Sequence, residues 1–299
     1  MPKTPPQLDW PEPERFRELR RDARAAAGHL RLCLQQRNWR GAIGNWSGAG
    51  TGSSIDFQDH RPYLPGDDPR YIDWAAYARS GSYIMKLYRE EVSPAIDLIL
   101  DLSRSMTWEP VKRDRLFSLA AFCLESAAAL GARPRMSGIS GGKVHMFDPA
   151  LLAGNAWPVP EFAPVEGPPR LEALPLQSGA LRILISDLLY DQAPADLVRH
   201  LSAGKGRVAL LAPFLQQEAE PDWRGNLELI DCETGVSRRQ RVDPALLANY
   251  RQAYDRHFDQ WREACRRYNA RFARVPCEPS LVDSLGLDAF QKGVVEAWA

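Results

Sequence analysis

The chain has 299 residues, 44% hydrophobic and 25% charged, enough apolar content for one large or two modest domains with a proper core. Its 38 basic and 38 acidic side chains cancel, so nothing global calls for nucleic acid or an anionic membrane, and no stretch approaches the ~20 apolar residues of a membrane span. Five scattered cysteines without a C-x-x-C pair read as reduced thiols, and the start at Met1 carries no apolar signal core, so the expected location is the cytoplasm.

In chain order, Phe16, Leu19, Ala23, Ala26, Leu30 and Cys33 recur at intervals of three and four after a proline-rich lead, which predicts an amphipathic helix over 14–34. Arg15, Arg17, Arg20, Arg21, Arg24 and Arg31 occupy its other face, read as solvated, with a stripe for acidic surfaces as the alternative. The glycine-rich loop from Gly41 to Gly52 lacks the Gly-Lys-Ser/Thr ending of a phosphate loop and does not join a strand to a helix. It reads as a flexible connection.

The most specific stretch comes next: Gly50, Gly52, Ile55, Asp56, Phe57, Asp59, Arg61, Tyr63, Pro65, Gly66, Asp67, Asp68, Arg70, Ile72, Asp73 and Trp74, then Ala78 and Arg79. Pro65 and Gly66 supply a tight turn, and Asp67 and Asp68 offer side-chain oxygens to the backbone after them. Arg61, Arg70 and Arg79 are expected to answer Asp67, Asp68 and Asp73. We read these pairs as a buried structural network, with a recognition surface as the alternative.

From Ala95 to Asp101 an apolar run with β-branched content, bounded by Pro94 and a Ser/Asp cluster, predicts a strand buried on both faces of a parallel sheet. Asp101, Ser103 and Ser105 would emerge at its carboxyl end, where open α/β sheets place their ligands. One charged and two neutral oxygens at alternate positions form the hard donor set that Mg²⁺ or Mn²⁺ prefers. In the other reading the serines only cap the next helix.

Beyond it, Leu116, Leu119, Ala120, Cys123, Leu124 and Ala127 predict a helix over 113–130 stopped by Gly131. Two short strands over 135–140 and 143–147 would join at Ser140, Gly141 and Gly142. Gly138, Ser140 and Gly142 also match the G-x-S-x-G nucleophile elbow, with Asp187 and His200 later in the chain in hydrolase order, so a serine hydrolase is the enzymatic alternative. An elbow needs a helix after the serine, whereas this serine leads into an alternating segment. Seven prolines make 149–177 an irregular connection. Strands are expected over 181–187 and 206–213, a helix over 196–201, and a hairpin of 227–231 with 238–242 turning at Glu233 to Gly235. A long helix over 244–270 carries Leu246, Tyr250, Tyr254, Phe258, Trp261, Cys265 and Tyr268 on one side, read as a buried face rather than a base-stacking stripe. A last strand over 272–277 and a closing helix over 280–290 complete a doubly wound, mainly parallel α/β sheet.

The Pro65–Trp74 signature resembles the bacterial family catalogued as domain of unknown function 58, over about 50–290. The Asp-x-Ser-x-Ser spacing resembles the first metal loop of von Willebrand factor A-type domains, to which that family joins its signature. The resemblance implies a von Willebrand factor A-like, Rossmann-type fold over 94–299, preceded by a lead, helix and loop over 1–49 and the signature over 50–93. It also implies partnership with a MoxR-type AAA+ ATPase and its client proteins in chaperone-like assembly. Asp187 matches the third-loop carboxylate of that metal site. The second-loop threonine has no counterpart, since the only threonines are Thr4, Thr51, Thr107 and Thr234. The expectation is a non-enzymatic adaptor holding Mg²⁺ or Mn²⁺ at Asp101, Ser103, Ser105 and Asp187. A metal-independent scaffold is the second alternative.

Overall fold

A computed structural model describes residues 10–33, 55–90, 94–148 and 169–298. The chain divides into two compact units, Gln35–Ser93 and the remainder. The glycine-rich loop, and Gly50 and Gly52 of the signature, lie outside the described residues.

The larger unit is built on β4 (Ala95–Asp101), whose residues from Ile96 onward are all buried. A strand covered on both faces needs a mostly apolar run, and the sequence supplies one broken only by Asp97, whose buried carboxylate is held by Arg135 and Gln177. The strand pairs in parallel with β5 (Arg133–Ser140) on one side and β7 (Leu181–Ile185) on the other. Beyond β7 lie β8 (Arg207–Phe214) and β11 (Arg271–Pro276), also parallel, while β6 (Lys143–Phe147) closes the far edge antiparallel to β5. The six strands run in the order β11-β8-β7-β4-β5-β6. This is an α/β fold with a mainly parallel sheet.

Each sheet face carries its own core. On one, Ile96, Leu98 and Leu100 pack with Leu116, Leu119 and Ala120 of α4 (Pro110–Ala129) and with Phe16 and Leu19 of α1 (Pro13–Ala27). On the other, Ile99 and Leu184 meet Leu197 and Val198 of α5 (Pro194–Ser202) and Tyr254, Phe258 and Trp261 of α7 (Pro244–Arg267). The aromatic stripe of α7 is therefore largely core.

Local periodicity overran at the end of the first helix. Residues 14–34 were expected to be one helix, but α1 ends at Ala27, and β1 (Leu30–Leu32) pairs antiparallel with β12 (Val295–Ala297). Gly28 leaves the helix still in the right-handed region at φ −72°, so it is the pairing of Leu30 with Ala297 that sets the extended conformation after it. The closing helix forms over 281–291, α8 (Leu281–Ser284) continuing through a π-type turn over Leu285–Ala289. After β8, the short helix α6 (Gln216–Ala219) leads to an antiparallel hairpin of β9 (Gly225–Ile230) and β10 (Ser237–Val242).

The smaller unit holds an antiparallel pair, β2 (Ile55–Pro62) with β3 (Ile84–Glu90), its register shifting between Phe57 and Asp59. A 3-10 turn over Pro69–Tyr71 and the short helix α2 (Trp74–Ser80) lie between them in sequence.

Candidate functional site

After β4 the chain moves to β5 on one side and later returns to β7 on the other, so the carboxyl ends of β4 and β7 flank a topological switch point. Two polar loops meet there. Asp101 is the last residue of β4 and fully buried. Its Oδ1 accepts the Ser103 backbone N–H at 2.9 Å and its Oδ2 accepts the Ser186 hydroxyl at 2.6 Å. The Ser103 and Ser105 hydroxyl oxygens lie 3.1 Å apart. The Thr107 hydroxyl donates to the Ser103 carbonyl at 2.9 Å and ties the loop to the short helix α3 (Arg104–Thr107).

Asp187 stands two residues beyond β7, next to Leu188, whose φ of 60° is a left-handed conformation costly for a bulky side chain. Its Oδ1 accepts Leu189 N–H at 3.1 Å, and its Oδ2 accepts the Lys112 ammonium at 2.7 Å. Lys112, 1% exposed at its side chain, also donates to Glu218 of α6 at 2.7 Å. Burial alone would discharge that ammonium. The two carboxylates outweigh it and hold the Lys112 pKa above the ordinary lysine value.

Asp101 has no such cation beside it among the described residues. Burial, with the Asp187 charge second, pushes its carboxyl up to about 7. A buried carboxylate in that position is stabilised by a proton or a cation. The donor chemistry fits a hard divalent ion: one carboxylate without a cation partner and two hydroxyls whose separation suits adjacent ligands. Asp101, Ser103 and Ser105 are thus brought together, while Asp187 shares their cleft but is already held by Lys112 and Leu189.

Three further residues of this cleft escaped the sequence reading: Lys112, Glu218 and Glu233. Glu233, at the β9–β10 turn, accepts the Ser105 backbone N–H at 2.8 Å through Oε1. No periodic pattern links positions 75, 106 or 128 residues apart. The only local signal is the Asp231–Gly235 turn chemistry, which marks a tip but not its target.

Nothing among the described residues points to the hydrolase alternative: the segment after Ser140 is the strand β6 rather than the helix of a nucleophile elbow. Ser140 ends β5 in a strand-to-strand hairpin and is fully buried, the His200 ring nitrogen Nε2 faces the Leu171 carbonyl at 3.1 Å, and Asp187 faces Lys112.

Within the smaller unit, Leu64 to Asp67 form a type II turn: Asp67 N–H donates to Leu64 O at 3.0 Å, with Pro65 at the second position and Gly66 at φ 105°. Arg61 grips Asp67 with two bonds of 2.6 and 2.7 Å, and Arg70 pairs with Asp68 at 2.6 Å, both at least partly solvated. Arg79 is not the partner of Asp73. That buried carboxylate caps α2 through Ala75 and Ala76 N–H at 3.0 Å each, and it meets His60 at 3.0 Å and Lys86 at 3.7 Å. A helix N-cap needs an acceptor for orphan N–H groups, a role the arginine pairing overlooked. Tyr63 donates its N–H to Tyr83 O at 3.0 Å, while Trp74 projects with Leu64, Tyr71 and Tyr83 into solvent.

Several known proteins are similar to this chain. An uncharacterised protein of Mycobacterium tuberculosis strain H37Rv, Rv1480, is 26% identical over 250 residues, covering 78% of each chain, and so is Mb1516 of Mycobacterium bovis. A crystal structure of the conserved hypothetical protein BatB from Bacteroides thetaiotaomicron aligns over 67% of this chain and 98% of its own at 10% identity, with a TM-score of 0.33. That score carries no argument. The profile of the family described as "Protein of unknown function DUF58" matches residues 59–150, a span from the signature segment through β4 and the Asp101–Ser105 loop to β6, so over that span the chain is similar to the family.

Proposed function

We propose that the chain is a non-enzymatic, cytoplasmic protein-interaction module with a von Willebrand factor A-like larger unit. Its cleft at the carboxyl ends of β4 and β7 receives an acidic side chain from a partner. Asp101, Ser103 and Ser105 would hold Mg²⁺ or Mn²⁺, with Asp187 contributing charge from the neighbouring loop. The ion would supply the positive charge that a buried Asp101 and an incoming carboxylate both need. The partner class is a MoxR-type AAA+ ATPase or a client protein that it assembles or activates.

The observation that carries this reading is the fully buried Asp101 beside two hydroxyls 3.1 Å apart, with no lysine or arginine among the described residues to neutralise it. The surroundings suit docking rather than turnover. Trp108, 54% exposed, and Val111 come after the first loop, and exposed Leu189 comes after the second. Apolar side chains around a polar centre are what a protein interface uses to exclude water.

A second reading has its own observation. Lys112 already neutralises Asp187, so this side of the cleft holds together without a metal and the chain can act as a metal-independent scaffold. Affinity capture from native lysate separates the two, using wild type and Asp101→Ala, each in Mg²⁺ and in excess EDTA, with an AAA+ ATPase as the scored product. Capture by wild type in Mg²⁺ alone supports the metal-bridged module. Capture in Mg²⁺ and EDTA alike, lost in neither variant, leaves the metal reading without support and moves attention to the signature segment.

A further inference from the structure

The β9–β10 hairpin forms its own two-stranded sheet, and its residues from Gly225 to Arg241 are mostly exposed, Ile230 and Val236 at 66% each. An element with so little apolar burial opens at small cost. Its turn is nonetheless firmly built. The Asp231 carboxylate accepts the backbone N–H groups of Glu233 at 2.8 Å and Thr234 at 3.3 Å, Gly235 N–H donates to Asp231 O at 2.8 Å, and Gly235 takes φ 71°. A local carboxylate and a left-handed glycine thus fix the direction of one side chain.

That side chain is Glu233. Its Oε1 accepts Ser105 N–H at 2.8 Å and its main-chain carbonyl lies 3.5 Å from Arg104 Nη1, so a surface hairpin reaches the loop that carries Asp101, Ser103 and Ser105. Its Oε2 is buried with no hydrogen-bond partner among the described residues. A buried carboxylate oxygen left unsatisfied on a side chain that already bonds this loop calls for a counterpart.

The geometry points to Glu233 as a tethered plug: it occupies, from within the chain, the place on the Asp101–Ser105 loop that a partner's acidic side chain would take, so hairpin seating and partner docking exclude each other. This rests on the cleft reading above and adds its regulation and the form of its ligand. The partner presents a glutamate on an exposed tight turn, because that is the shape in which the cleft holds one now. A tethered competitor sits at high effective concentration. The affinity for an outside carboxylate is therefore reduced by the fraction of time the hairpin is seated.

The test uses the full chain as wild type, Glu233→Ala, Glu233→Gln and the double variant Asp101→Ala with Glu233→Ala. The probe is a cyclised peptide with the sequence of residues 229–238 bearing Cys232→Ser, titrated in Mg²⁺ by fluorescence polarisation. Glu233→Ala is expected to bind it at least about tenfold more tightly than wild type. Glu233→Gln, which keeps the acceptor for Ser105 but not the charge, should fall between, and the double variant should lose the gain. Hydrogen exchange at the Ser105 amide should speed up in Glu233→Ala while the circular dichroism stays unchanged. Equal binding by wild type and Glu233→Ala overturns the plug and leaves the cleft reading standing. A gain that survives Asp101→Ala also overturns the plug, by placing the peptide elsewhere. Binding by neither chain overturns both.

Discussion

Lys112 shows how much a single buried charge decides. Its ammonium is shared by Asp187 and Glu218 at 2.7 Å each, in a place where side-chain exposure is 1% for the lysine and 2% for Asp187. Replacing it by methionine keeps the stem and strands two carboxylates, which should lower unfolding stability by about 3–5 kcal/mol in urea titration. Val111→Ala, one residue away and exposed, should stay within about 0.5 kcal/mol. Similar losses for the two would contradict the ion-pair account. At Asp73 and Asp67 the sign of a pH effect is set by their partners. The Ala76 N–H and then His60 hold the Asp73 carboxyl below the usual range, and Arg61 does the same for Asp67. A depressed folded pKa contributes stability that is present above the unfolded value of about 3.9 and lost as pH falls through the folded one. Amide exchange at Ala75 and Ala76, relative to its intrinsic rate, should therefore keep its protection down to about pH 4 and lose it on further acidification toward about pH 2. Protection that stays flat over that range would remove the carboxylate from the cap.

At the scale of elements, α1 shows apolar and charged contacts of unequal worth. Its Phe16 packs edge-on to Phe117 of α4 with ring centroids 5.1 Å apart, while Arg20 and Arg24 both reach Glu125. The arginine stripe is thus partly an inward docking device rather than a free surface. Phe16→Ala should cost about 3–5 kcal/mol and Arg24→Ala under about 1 kcal/mol in thermal or urea unfolding. The reverse order would contradict docking through the apolar face. Gly138 links two elements to the cleft. A Cβ there would collide with Leu102, which lies between Asp101 and Ser103, and press on Phe147 of β6. Gly138→Ala should cost about 1–3 kcal/mol in urea unfolding, since the strain is relieved through the Asp101–Ser105 loop.

For the whole molecule, the larger sheet was legible because its strands are covered on both faces. The runs at 95–101, 181–185 and 207–214 are mostly apolar, with Asp97 and Arg182 as buried charged exceptions, and hydrophobic helices separate them. The β1–β12 pair was not legible, since three residues near each end of the chain meet through a ladder and an Arg31–Glu296 ion pair that leave no local pattern in either segment. Half of the cleft could be read from one loop, as Asp101, Ser103 and Ser105 are consecutive in pattern and adjacent in space. The other half could not, because Lys112, Glu218 and Glu233 arrive from separate elements and charge pairing over such distances leaves no local trace.

The central claim is that the carboxyl ends of β4 and β7 hold a divalent ion through Asp101 and its two serines. Titration of Mn²⁺ into the full chain, monitored by electron paramagnetic resonance of the free ion, tests it directly with wild type and Asp101→Ala. The account predicts a single bound ion per chain for wild type and none at that site for Asp101→Ala, with both chains folded by circular dichroism. Equal uptake by the two chains, or none by wild type, would contradict it.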